Sequence, residues 1–152
     1  MKKYVAWALV VAWMVLIYNF SAQSAEGSKE LSTGLVQEVV EAIERFFLIT
    51  PIDSGMIHII LRKGAHLFLY FALGVFVYQA MSLTGDFNWT ILISLIICTL
   101  YGASDEIHQM FVPNRGPKVM DVFIDAFGAY LGIILTNVMI ILLKKRKKTG
   151  QT

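Results

Sequence analysis

Residues 119–148 read VMDVFIDAFGAYLGIILTNVMIILLKKRKK. As a helix rising about 1.5 Å per residue, Val119 to Leu143 is long enough to cross the ~30 Å hydrocarbon core of a bilayer. Its only charges are Asp121 and Asp125, which stand at i and i+4 near its start and so share one face. Gly128 and Gly132 continue that face and allow another helix to approach closely. The five basic residues Lys144, Lys145, Arg146, Lys147 and Lys148 follow without a break, the pattern that anchors a helix on its cytoplasmic side. That position argues against nucleic-acid binding by the basic tail. The stretch is a membrane-spanning helix with acidic groups at one end and a basic stop at the other.

Three further runs have the same character: about 4–20, 65–83 and 89–110, the last short in purely apolar terms but able to continue as helix through Ser104 to Met110. Hydrophobic residues make up 57% of the 152, above the ~45–50% of a soluble domain. The sequence thus predicts one all-α domain over 1–152, an integral membrane four-helix bundle. Seven of the thirteen basic residues lie at the two ends, Lys2 and Lys3 among them. This places the N and C termini of a multi-pass cell-membrane protein in the cytoplasm. Lys2-Lys3 with Ala22-Gln23-Ser24 gives the first run some likeness to a cleaved signal peptide. Its length and its Trp7, Trp13 and Tyr18 favour a retained helix.

Between the first two spans, residues 33–49 place Leu35, Val36, Val39, Val40, Ile43, Phe46 and Phe47 at helical spacing. Glu38, Glu41, Glu44 and Arg45 occupy the other side, so this is expected to be an amphipathic helix on the outer interface or over the bundle mouth. Cys98 is the only cysteine, forms no internal disulfide, and reads as a small packing residue.

With this topology the remaining ionisable groups gather at the outer face. The second helix enters with Arg62, Lys63, His66 and Tyr70, the last two a turn apart on one face. The third leaves with Ser104, Asp105, Glu106, His108 and Gln109, and a tight Pro/Gly turn carrying Arg115 and Lys118 leads to Asp121 and Asp125. The candidate catalytic residues are His66, Asp105, Glu106, His108 and Asp125; Arg62, Tyr70, Gln109, Arg115 and Asp121 are candidates for holding a ligand. Snorkelling at helix ends would account for Lys63, Lys118 and Glu106. It would not account for a deep Asp125, which costs about 2.5–3.5 kcal/mol when alone. If Asp125 pairs with Arg62 or Arg115, its removal strands a buried cation at a cost of about 3–5 kcal/mol.

Three chemistries fit these residue types. One is general acid–base catalysis, with His66 or His108 as proton carrier and an aspartate orienting it, while the basic residues hold an anionic group such as a phosphate. A second is a divalent metal on the histidines and carboxylates, although no HExxH or comparable spacing is present and no cofactor is required by the pattern. A third is a proton or ion path, for which the inner helix halves offer only Gln79 and Asn137.

At these residues the chain resembles the VanZ-like family. The resemblance is carried by Arg62-Lys63-Gly64-Ala65-His66 with Tyr70 and Gly74, by Ser104-Asp105-Glu106-Ile107-His108-Gln109, and by Pro113-Asn114-Arg115. Asp121, Asp125, Gly128 and Gly132 complete it. With the first helix and its Phe20-Ser21-Ala22-Gln23 exit it covers nearly the whole chain. Lys118 stands where a small or polar residue is expected, and Asn114 where glycine is common. The family's namesake is associated with low-level resistance to teicoplanin, a lipidated glycopeptide that acts at the outer membrane face. The resemblance implies a cell-envelope protein whose polar pocket binds or modifies a lipid or envelope headgroup. Alternatively, it implies a non-catalytic protein that sequesters or blocks the glycopeptide. The partners implied are the bilayer together with an outer-leaflet lipid, a cell-wall precursor or a lipoglycopeptide.

Overall fold

The computed structural model describes residues 1–22, 54–84, 89–112 and 118–149. Four helices make up the described chain: α1 (Lys2–Ser21), α2 (Ser54–Ser82), α3 (Thr90–Gln109) and α4 (Val119–Thr149). The amphipathic segment 33–49 and the turn containing Arg115 lie outside the described residues. Each helix contains a stretch long and apolar enough to cross a membrane. In hydrocarbon the backbone can satisfy its polar groups only within the helix itself, which is why such runs become uninterrupted helices. α2 starts at Ser54, well before its apolar run begins at Ala65, and α4 continues through the basic cluster. Arg62 and Lys63 therefore project from an established helix rather than from its first turn.

The main contact of the bundle is the seam between α2 and α4. These helices run parallel, and one register holds along the seam: Arg62 meets Asp121, His66 meets Asp125, and Tyr78 meets Asn137, each pair 59 residues apart. Glycines make the approach possible. A side chain at Gly128 would collide with the backbone of Leu67, one at Gly132 with that of Phe71, and one at Gly74 with that of Ala129. Small residues at crossing points are the usual means by which membrane helices gain packing contacts in a medium as apolar as their side chains.

α1 packs on α2 and α3 through buried Val10 and Ile17 and two hydrogen bonds to main-chain carbonyls. Trp13 Nε1–H donates to Leu69 O at 2.9 Å, and the Tyr101 hydroxyl of α3 donates to Met14 O at 2.6 Å. Trp13 also meets Phe76 edge-on, with ring centroids 5.4 Å apart. Outward-facing Phe68, Leu100, Phe123 and Leu142 are each more than half exposed. Such an apolar exterior suits lipid and would be a liability in water. The chain is a multi-pass membrane protein.

Candidate functional site

The up-and-down course of the helices brings the ends of α1 and α3 and the beginnings of α2 and α4 to one end of the bundle, where the ionisable side chains gather in two tiers. Nearer the helix ends, buried Asp121 receives two partly exposed cations, Arg62 at 3.8 Å and Lys63 at 3.6 Å. A shallow cleft here is lined by Arg62, Lys63, His66, Asp121 and Ile124.

One turn further along α4, Asp125 is fully buried and faces His66, with Oδ1 3.3 Å from Nδ1. From α3 comes Asp105, 3% exposed. Its Oδ2 accepts from the Ser21 hydroxyl at 2.7 Å and from Gln109 Nε2 at 3.3 Å. Both donors use the same oxygen, so Asp105 is held firmly while its Oδ1 has no partner. One atom each of His66, Asp105 and Asp125 lie within 4.8 Å of one another. The Tyr70 ring stacks beyond His66, its centroid 6.5 Å away, and its fully buried hydroxyl is also unpartnered.

The unsatisfied atoms set this end apart. His66 Nδ1, Tyr70 Oη, Asp105 Oδ1 and both Asp125 carboxylate oxygens are buried with no hydrogen bond. The His66–Asp125 approach is thus an ion-pair distance without hydrogen-bond geometry. Each orphaned group costs about 1–3 kcal/mol, more if charged. Several in one place call for a reason other than stability, and a binding or catalytic role is such a reason.

The remaining candidates have different surroundings. Glu106 is buried and its Oε2 accepts the Lys118 backbone N–H at 2.9 Å, immediately before α4 begins. A carboxylate there satisfies a donor the helix cannot and complements its dipole, so Glu106 ties α3 to the start of α4 rather than snorkelling. His108 stacks on Tyr18 of α1 at 4.3 Å, with its Nε2 buried and unpartnered, and does not join the His66–Asp105–Asp125 group. Arg115 lies outside the described residues.

Two features differ from the sequence expectation. Asp125 faces His66 and not Arg62, because the seam register sets Arg62 one turn higher, against Asp121. The charges are unevenly placed: Arg62 and Lys63 sit in the upper tier against Asp121, and among the described residues the lower aspartates have only His66 as a basic neighbour. Sequence reasoning also missed α1, since Ser21 and Tyr18 are ordinary residues at the end of a membrane helix. The only hint was that Ser21 falls at the same height as Asp105 once both helices are drawn.

Fold and site together define a polytopic helical membrane protein with a buried acid–histidine cluster at one end of its bundle. The chain belongs to the VanZ/LLP1 family, whose model matches residues 6–142. No curated protein and no solved structure matches it.

Proposed function

We propose that this VanZ-family membrane protein contributes to teicoplanin resistance by binding and modifying the anionic headgroup of a lipid or cell-wall precursor at the outer face of the cell membrane. The reading is carried by one observation, the group of buried, unpartnered polar atoms on His66, Tyr70, Asp105 and Asp125 beside a cleft lined by Arg62 and Lys63. In this scheme Arg62 and Lys63 draw in a phosphate or carboxylate, charges they bind by charge-assisted hydrogen bonds. His66 then carries a proton, oriented by Asp125, and Asp105 waits in a fixed rotamer held by Ser21 and Gln109. The orientation with both termini cytoplasmic follows from the basic residues at the ends, chiefly Lys144–Lys148.

The test is expression of the full chain in a teicoplanin-susceptible host, with susceptibility and the envelope-lipid headgroup profile measured together. Wild type should raise resistance and change the headgroup profile, and His66→Gln should do neither. Raised resistance with an unaltered profile would favour sequestration of the glycopeptide. No change in either would sink the proposal.

A further inference from the structure

We infer that His66, Asp105 and Asp125 form a binding site for a divalent cation of the first transition row. The three donors come from three helices, α2, α3 and α4, and their nearest ligand atoms all lie within 4.8 Å of one another. Ligands at about 2.0–2.2 Å from a shared ion stand roughly 3–4 Å apart. A small side-chain rotation closes the difference. Asp125 has no exposed surface and Asp105 almost none, so neither carboxylate is explained as a solvated surface group.

An independent observation points into the same space. The Tyr70 hydroxyl is fully buried beside Asp105 and Asp125, within reach of the Asp105 carboxylate but without a well-formed hydrogen bond to it. A phenol oxygen placed there can bond a water on the ion or approach the ion itself. Gly102 packs against both Asp125 and Tyr70, where an added Cβ would meet each at an ordinary contact distance of 3.5 Å. The outer partners are those a metal site requires. Ser21 and Gln109 both hold Asp105 through Oδ2 and leave Oδ1 to turn inward. Such hydrogen bonds orient a ligating carboxylate and commonly govern affinity by 10–100-fold.

The donor set selects the ion. Two carboxylates and an imidazole favour Mn²⁺, Fe²⁺ or Zn²⁺ over Ca²⁺ or Mg²⁺, which prefer all-oxygen surroundings. Charge points the same way, because Arg62 and Lys63 are engaged by Asp121, and the carboxylates of Asp105 and Asp125 face an ion with the charge it needs. The inference rests on the proposed function for its biological role and not for binding itself, and it gives His66 and Asp125 the part of ligands in place of the proton transfer described above. A bound cation would polarise a phosphoryl or carbonyl oxygen of a headgroup at the cleft.

The experiment uses full-length protein in lipid nanodiscs, stripped with chelator and then titrated with Mn²⁺ or Zn²⁺. Stoichiometry is read by elemental analysis after desalting and stability by thermal unfolding. Wild type should retain about one ion per chain and unfold at higher temperature with it, as tight binding to the folded state alone requires. Asp125→Asn and His66→Gln should lower retention tenfold or more, and Tyr78→Phe, far along the seam, should retain the ion as wild type does. The inference fails if stripped wild type takes up neither ion, or if Asp125→Asn and His66→Gln bind as well as wild type. Neither readout needs the protein to confer resistance, so failure here and failure of the functional proposal are separable.

Discussion

The two ends of the α2–α4 seam use one register for opposite purposes. Towards the middle of α4, Tyr78 donates to Asn137 Oδ1 at 2.7 Å, a neutral hydrogen bond at a helix contact. Three turns closer to the start of both helices, the equivalent positions hold His66 and Asp125, whose facing atoms lie 3.3 Å apart without a hydrogen bond. The backbones approach through the same glycine packing at both places, so geometry alone does not force the orphaned atoms. A seam that can accommodate Tyr78–Asn137 can accommodate a satisfied pair at 66 and 125 as well. The contrast is between a part of the seam built for stability and a part that tolerates instability, as the proposed site would.

The largest test breaks the seam that both ends share. Gly132→Val would drive a branched side chain into the Phe71 backbone, and no rotamer relieves a backbone contact. The expected loss is about 3 kcal/mol or more in reversible unfolding, at the upper end for overpacked sites. An unaltered stability would show that the helices are not held as closely as the structure has them.

A smaller effect is expected at the satisfied end. Tyr78→Phe removes the donor and leaves Asn137 Oδ1 partly buried without one, which should cost about 1–2 kcal/mol. The double variant Tyr78→Phe, Asn137→Leu should recover most of that, and resistance should follow wild type throughout.

The smallest effect on stability is expected where the effect on function is greatest. Had Asp125 paired with an arginine, its loss would have stranded a fixed cation. Its partner is a histidine, which can shed its proton, so the cost of about 3–5 kcal/mol for a broken buried pair does not apply. In metal-free protein Asp125→Asn should therefore change stability by less than about 1 kcal/mol, or raise it, since it removes a buried carboxylate with two unpartnered oxygens. Resistance and headgroup change should nevertheless be lost. A large destabilisation of chelator-treated Asp125→Asn would return the residue to a structural role and collapse the contrast between the ends.

Much of this was legible in the sequence because membrane helices make ionisable residues conspicuous. His66, Asp105 and Asp125 stand out against apolar runs, and helical spacing alone puts Asp121, Asp125, Gly128 and Gly132 on one face. Spacing within a helix does not give the height of one helix against another. That height decides whether Asp125 meets Arg62 or His66, and it is set by which backbone each glycine accepts. The backbone contact of Glu106 was hidden for a related reason: a carboxylate near a helix end reads as a catalytic candidate or a snorkelling charge until the start of the next helix is found against it. Ser21 stood in the sequence only as part of the exit of the first helix, because a single hydroxyl after an apolar run has many uses, and its partner Asp105 marks this one.

The parallel course of α2 and α4 also sets an order of biogenesis. Parallel neighbours cannot enter as a hairpin, so α3 must cross before α4 can lie beside α2. His66 and Asp105 are then already in the membrane when Asp125 arrives, and a residue that alone would resist insertion finds its surroundings prepared. The last of these four helices to enter is the one that completes the cluster. A nascent chain halted before Val119 has the histidine and one aspartate but no assembled site, so any activity of the cluster begins only once α4 is inserted.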